Sequence, residues 1–511
     1  MARLSRESLE FAKNHIIKFY DSDFYPKPFE FDALWANWEE VLTHLTCNEV
    51  NGFPIDQPRT YTSIKPNGNF RVVHQLDPIN TLIYTALSYE VSQGVEKARA
   101  PKDEHIACSY RIEIDPQKGT FFGNGSGYRD FIDKCIELSS TSKHVLVTDI
   151  TDFYNQIYVH RLQNAIEAAD ENFYELSKDI ERFILDLNGN VSQGVPVGPA
   201  ASIIMAEAIL MDVDNFIIES GFKHTRYVDD IRIFGNTKQD LIRFLARLTE
   251  YLYHNHRLTL AGEKTKIIKS IPFKDEYLES PEILEKQGIH DTLATIKLFQ
   301  DAYTTSDTDD LDEKKIRPYI LSEIFDSIIS KDKLDLGISR HILRRCRRYR
   351  IRSITPALFE NFKFFLPVIC DVILYLQKIS NKSFVDRNKD KLINLTKENY
   401  MIKFPFIKDW VEYYFSNNIN ILQIGEIKEY LRQHGNFRNQ ATAAFKLNST
   451  HWVRSHKGSL PDLSAWDRRA LIRASLILSK KEMESWISAI EKHSYSFTEA
   501  MTAKWVKSLK K

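Results

Sequence analysis

Residues 223–234 read Lys-His-Thr-Arg-Tyr-Val-Asp-Asp-Ile-Arg-Ile-Phe. Two runs with strand character, 223–226 and 231–234, flank a tip that carries Tyr227, Val228, Asp229 and Asp230. Adjacent carboxylates repel, so a folded chain either leaves them in water or brings them a cation. A hairpin tip aimed into a cleft offers the second solution; an ordinary exposed turn offers the first.

Residues 144–148 form a short apolar run that ends at Asp149 and continues Ile150-Thr151-Asp152-Phe153-Tyr154. This pattern predicts a strand that delivers a carboxylate at its end, with an aromatic ring close behind. Two-metal phosphoryl transfer needs carboxylates from separate strands converging on ions about 3.5–4 Å apart, one ion activating the attacking hydroxyl and the other steadying the leaving pyrophosphate. Asp149 is the natural partner of Asp229 and Asp230. Between them, residues 191–202 read Val-Ser-Gln-Gly-Val-Pro-Val-Gly-Pro-Ala-Ala-Ser and lead into an apolar helical run at 203–210. Such a glycine-rich entry lets backbone approach a base or phosphate; its blander reading is a loop and a helix start.

In order and spacing these stretches resemble the palm of the reverse transcriptases. Asp149 to Tyr154 looks like the family's first palm motif, Gln193-Gly194-Val195-Pro196 like the second, Tyr227 to Asp230 like the third, and residues 260–267 with Lys264-Thr265 like the fourth. Lys65-Pro-Asn-Gly68-Asn-Phe-Arg71 resembles the fingers signature of bacterial members. The resemblance implies an α+β half, a right-hand polymerase palm and fingers built from an antiparallel sheet with helices, over residues 1–280. It implies two Mg2+ ions, replaceable by Mn2+, bridged by Asp149 and Asp229, with Asp230 and the carbonyl of Ile150 completing the site. By the same resemblance Lys65 and Arg71 grip the triphosphate of a deoxynucleotide. Arg71 is the better clamp, because its planar fork binds two oxygens at once. Tyr154 would pack under the sugar and exclude a 2′-hydroxyl, or be one more core aromatic. Gln193 would touch the nucleotide or the strand opposite it, and Lys264 would protonate or neutralise the leaving pyrophosphate, or be an exposed loop lysine. Three departures stand out: Asn155 where many bacterial members are acidic, Gly198 where serine is common, and Ile271-Pro272-Phe273 where a Phe-Leu-Gly primer grip is expected.

The whole chain balances 69 basic against 69 acidic residues. Residues 1–300 nevertheless hold 32 Lys/Arg against 44 Asp/Glu, a net of −12, and residues 301–511 hold 37 against 25, a net of +12. A polymerase that tracks a long duplex presents a broad basic groove, because phosphate neutralisation supplies most of its non-specific affinity. An acidic polymerase half therefore suggests a short single strand, or positive surface supplied by the carboxy-terminal half; solvated outer faces give the same composition.

Residues 281–511 are predicted to be an all-α, helical-repeat-like (HEAT-like) domain. Apolar residues three and four apart recur over 293–303, 317–330, 358–378, 407–415, 424–434, 463–478 and 481–493, with turns expected at Gly337, Pro356, Gly435 and Pro461. Within it, Arg340, Arg344, Arg345, Arg347, Arg348, Arg350 and Arg352 interleave with Tyr349. Arg344, Arg347 and Arg348 would suit phosphates and Tyr349 a stacked base. A solvated basic face, or pairing with the acidic amino-terminal half, explains the stripe equally well.

This two-part plan, and the opening Lys18-Phe-Tyr-Asp-Ser-Asp-Phe-Tyr25, resemble the abortive-infection reverse transcriptases of bacterial antiphage defence. That branch implies template-independent DNA synthesis by a homo-oligomer, primed from a hydroxyl of the protein, with a single-stranded DNA product left covalently attached. Tyr20, Tyr25 and Ser8 are the candidate primers. Two alternatives remain: a templated, retron-like RNA-dependent DNA polymerase, and a nucleic-acid-binding scaffold whose palm is catalytically silent. Cys47, Cys108, Cys135, Cys346 and Cys370 are too scattered for a disulfide framework or a zinc site. No apolar stretch is long enough to span a bilayer, since the 203–210 run is interrupted by Glu207 and followed by Asp212 and Asp214. A cytoplasmic enzyme without a membrane partner is expected.

Overall fold

The computed structural model describes residues 2–19, 24–123, 125–278, 318–491 and 494–510. Its strands are β1 (Arg59–Ile64), β2 (Phe70–Gln75), β3 (Ile112–Asp115), β4 (Thr120–Phe122), β5 (His144–Asp149), β6 (Lys223–Tyr227), β7 (Asp230–Gly235) and β8 (Lys266–Lys269). The run at 144–148 and the two flanks of the Asp-Asp tip become β5, β6 and β7 of one antiparallel sheet ordered β6-β7-β5-β8. One face of this sheet supplies Val145, Val147 and Phe234 to a cluster with Phe131, Cys135, Leu138 and Phe273. Ala200–Glu219 packs on β6, and Lys238–Tyr251 on β5, β7 and β8. The first of these helices is apolar nearly all round, as a helix buried on every side must be; it also packs on the Pro78–Ala98 and Val159–Ala169 helices.

The chain divides into two compact units, and not by a single cut at residue 280. One unit holds Met1–Asp23, His44–Arg59 and His74–Lys315; the other gathers Phe24–Thr43 and Thr60–Val73 with Ile316–Lys511. Electrostatics explains part of this. Glu30, fully buried, accepts from both Nη atoms of Arg438 at 2.7 Å and from Arg469 at 3.1 Å, while the Trp410 indole donates to the Phe24 carbonyl at 2.7 Å. Burial alone would raise the Glu30 carboxyl, but the two guanidinium groups outweigh it and hold the group at about 2.

The second unit is helical apart from the β1–β2 hairpin, which its boundary crosses at either end. The run at 358–378 is broken into Thr355–Glu360, a 3-10 turn at Phe362–Val368 and Ile369–Ile379, because Pro367 removes a backbone donor. Gly337 is not a turn. It lies in the first turn of Leu336–Arg348, where Asp335 caps the Ile338 N–H at 3.0 Å and glycine costs little. The run at 293–303 lies outside the described residues.

Candidate active site

Asp149, the last residue of β5, pairs directly with Asp230, the first of β7, and Tyr227, the last of β6, pairs with Asp230 from the other side. Directly opposed residues share a face, so the three strand ends present Asp149, Asp230 and Tyr227 together. The tip closes through Val228 at φ 56°. For a β-branched residue that left-handed conformation is costly, on the order of 1–3 kcal/mol. A second segment runs beside β5: Ala261 N–H donates to the Asp149 carbonyl at 2.8 Å, Thr151 N–H to the Thr259 carbonyl at 2.9 Å, and the Thr148 and Thr265 hydroxyls meet at 2.8 Å. This brings Lys264, on the 3-10 turn that follows, onto the Asp149 carboxylate. Ile150, expected to lend its carbonyl, is bridged to Leu260 and donates its N–H to the Asp229 carbonyl at 3.4 Å.

The charges are unevenly compensated. Burial, and then the neighbouring Asp149 carboxylate, push Asp229 up to about 7. Asp230 is also raised by burial, but Arg232 opposes this, gripping both carboxylate oxygens, one at 2.9 Å through Nη2. Among the described residues no three His, Cys, Asp or Glu side chains form a closed metal-binding group. Asp149 and Asp229 are instead a facing pair on which a lysine ammonium lies. The Lys264 ammonium stands where a cation is needed, and hard carboxylate oxygens suit Mg2+ or Mn2+, so the pair fits a divalent ion. Asp230, expected to complete the site, is engaged by Arg232, which the sequence did not single out.

The glycine-rich stretch meets the Asp149–Tyr154 stretch. Val195 N–H donates to the Tyr154 carbonyl at 2.9 Å and Gly194 N–H to the Ile157 carbonyl at 2.8 Å, with Gly194 at φ 96°, a conformation that favours glycine. Gln193 is exposed and bridged to Tyr158, and Tyr154 is half-buried beside Phe153. Val197 donates to Nδ1 of His74 at 3.0 Å and accepts from the His74 N–H at 2.9 Å. Burial holds the His74 ring down to about 4, so it is neutral and Nδ1 can accept. Asn155 donates from Nδ2 to the Asp152 carboxylate at 2.9 Å.

Other candidates are placed elsewhere. Lys65 and Arg71 lie on the β1–β2 hairpin within the second compact unit, not the unit that holds the carboxylates. There Lys65 N–H donates to the Asn69 carbonyl at 2.7 Å, and Gly68 turns the chain at φ 80°. Part of the arginine stripe is engaged within the unit: Arg340 and Arg344 pair with buried Asp371 at 3.7 and 2.9 Å, Arg345 is buried, and Arg352, though exposed, donates to the Ile379 carbonyl at 3.0 Å. Arg347 and Tyr349 are half-buried, and Arg348 is exposed. Of the priming candidates, Ser8 is fully buried with its hydroxyl on the Ser5 carbonyl at 3.0 Å, and the buried Tyr25 hydroxyl donates to the Val73 carbonyl at 3.0 Å. Neither hydroxyl is presented for attack. Tyr20 lies outside the described residues.

The sequence reading also missed a buried group around Arg226, formed by Arg99, Glu207 and Asp214. Its trace was Glu207 and Asp214, seven residues apart on a largely apolar helix, a spacing that puts both on one face.

Residues 64–284 match the family model described as reverse transcriptase (RNA-dependent DNA polymerase). No curated protein matches the chain. Among solved structures, similarity is found to a telomerase from Candida albicans in complex with a fragment of telomeric RNA, at 11% identity over 75% of this chain and 70% of that one, TM-score 0.33. An apo telomerase from Candida tropicalis is similar at 12% identity over 75% and 74%, TM-score 0.32. Likenesses this distant carry no weight for mechanism. The family match falls on the strand-borne carboxylates described above, and the chain carries a reverse transcriptase domain and is a nucleotidyltransferase.

Proposed function

We propose that this nucleotidyltransferase is a divalent-metal-dependent DNA polymerase that adds deoxynucleotides, without a template, to a hydroxyl of the protein itself, as a cytoplasmic homo-oligomer in bacterial antiphage defence. The observation that carries the catalytic part is the facing Asp149–Asp229 pair, with Asp229 pushed up to about 7 and Lys264 laid on Asp149. Asp149 and Asp229 would hold the ions, whose charge favours loss of the hydroxyl proton and departure of pyrophosphate. The hydroxyl oxygen bonds to the α-phosphorus, the bond to pyrophosphate breaks, and the proton passes to solvent or carboxylate. Lys264 would move from Asp149 to the leaving pyrophosphate. Tyr154 would exclude the 2′-hydroxyl, Gln193 would meet the nucleotide, and Lys65 and Arg71 would grip its triphosphate.

Protein priming is supported by the acidic amino-terminal 300 residues and by the absence of a primer-grip sequence after Lys264. With Ser8 and Tyr25 buried, an exposed hydroxyl is required. Tyr128, 55% exposed with its ring edge-on to Tyr227 at 5.3 Å, is a first place to look. The description of the matched family favours a second reading, RNA-templated synthesis.

One experiment separates the two. Purified protein is incubated with labelled deoxynucleotides and Mg2+ in the absence of nucleic acid. Label that stays on the protein through denaturation and is released by protease supports protein priming, and peptide mapping then names the residue. Strict dependence on added RNA supports the templated reading.

A further inference from the structure

Val228 is held in its left-handed conformation from both sides. Its N–H donates to the Ser109 hydroxyl at 2.9 Å, and its carbonyl accepts from Nη1 of Arg226 at 3.4 Å. Both partners converge on Glu207: the Ser109 hydroxyl donates to Oε1 at 2.9 Å, and Arg226 reaches Oε1 at 3.1 Å and Oε2 at 2.8 Å. Arg99 closes the group on Oε2 at 2.9 Å, and Asp214 grips the far edge of Arg226 at 2.8 Å. Ser109, Glu207, Asp214 and Arg226 are buried to within 1% of complete, and Arg99 nearly so.

A buried set of two arginines and two carboxylates is a poor device for stability alone, because well-packed apolar residues of the same volume serve as well or better. What apolar residues cannot do is donate to one side of a peptide unit and accept from the other. Here both hydrogen-bonding groups of the residue before Asp229 are occupied, in a conformation that valine does not choose unaided. Glu207 lies about two turns into the helix that begins at Ala200, directly after the Gln193–Pro199 stretch. The group therefore ties the catalytic tip to the helix that follows the glycine-rich loop.

We propose that Glu207 and Ser109 are positioning residues for nucleotidyl transfer: acting with Arg226 through Val228, they hold the Asp229 carboxylate where it faces Asp149. The inference concerns the metal-binding geometry and holds for either mode of priming. Ser109→Ala removes both bonds of the hydroxyl, the one it accepts from Val228 N–H and the one it donates to Glu207, and leaves the charges intact. It is expected to lower kcat and the affinity for Mn2+, measured by calorimetry without nucleotide, by about tenfold each, as loss of an outer-shell partner does. KM for deoxynucleotide should change less than about twofold, since uniform binding is untouched. Glycine adopts positive φ freely, so in a Val228→Gly background the Ser109→Ala loss should shrink to about threefold or less.

A residue that serves only stability would instead lower Tm while leaving kcat per folded molecule and Mn2+ affinity at wild-type values; that outcome overturns the proposal. So does a Ser109→Ala loss undiminished by Val228→Gly. Ser109→Cys, close in size but a poor acceptor, carries the same expectations if the alanine variant does not fold.

Discussion

Glu207 and Asp214 lie on arginines; Asp149 and Asp229 lie on each other. Both sets are carboxylates taken largely out of water in the same compact unit, and Asp229 responds in the opposite direction to Glu207 and Asp214. Burial would raise Glu207 and Asp214, but Arg226, with Arg99 or His224, outweighs it and holds both below the ordinary carboxylate range, Asp214 at about 2. At Asp229 burial and the neighbouring Asp149 carboxylate act in the same direction and push the group up to about 7. Glu207 and Asp214 have guanidinium counter-charges; the Asp149–Asp229 pair has the Lys264 ammonium, laid on Asp149. Neutralising a carboxylate should therefore have opposite consequences in the two places.

The largest effect is expected for Asp229→Asn. Loss of one ligand charge at a two-metal site should reduce nucleotide incorporation by about a thousandfold or more, while relief of repulsion with Asp149 leaves Tm equal to or above wild type. Fold and activity are read on the same preparation by thermal melting and incorporation. A variant that retains a tenth of the activity would show that Asp229 does not hold a catalytic ion. Asp214→Asn should do the reverse to stability: it leaves buried Arg226 and His224 short of a charge and costs about 3–5 kcal/mol by chemical denaturation. An Asp214→Asn protein as stable as wild type would mean that Arg226 finds its compensation in Glu207 alone.

The same contrast explains what sequence could and could not show. Asp149 and the Tyr227–Asp230 tip were legible because strand ends and hairpin tips are local features, and their order along the chain places them on one sheet. The turn expected at Gly337 failed for an equally local reason, since the Asp335 cap two residues earlier had already begun a helix. Partnership is not local. Arg344 stayed open between a phosphate ligand, a solvated face and a partner of the acidic half, because nothing nearby in sequence reveals Asp371, 27 residues on, which takes it. Glu30 read as part of the polymerase half, although its partners lie 408 and 439 residues away. Ser8 and Tyr25 looked available because burial depends on the assembled fold.

Glu30 extends the comparison to the second unit. It resembles Asp214 in being fully covered and doubly paired, with two arginines where Asp214 has Arg226 and His224. Glu30→Ala leaves Arg438 and Arg469 without their shared carboxylate and is expected to cost about 3–5 kcal/mol. The loss should appear in the helical unit, as earlier hydrogen exchange over Phe437–Lys446 and Ala465–Ala474, with the exchange of β5 and β7 unchanged. Uniform loss across both units would indicate that they unfold as one.

The smallest effect concerns pH, and its sign follows from Asp229. Its carboxyl in the folded chain lies at about 7 against an ordinary 3.8, so the folded state holds a proton there that the unfolded chain releases early. That proton stabilises the fold fully below about pH 4, and the contribution is lost as pH rises through about 7. A divalent ion competes for the same oxygens and binds once the proton has gone. Adding Mg2+ should therefore raise Tm little at pH 5.5 and by a few degrees at pH 8, because a ligand stabilises only the state it binds. In Asp229→Asn the pH dependence of the Mg2+ effect should vanish, whereas in Asp214→Asn, however destabilised, it should persist. An equal Mg2+ shift at both pH values in the wild-type protein would place the ion away from the Asp149–Asp229 pair, and the two sets of carboxylates would then differ in charge compensation without differing in task.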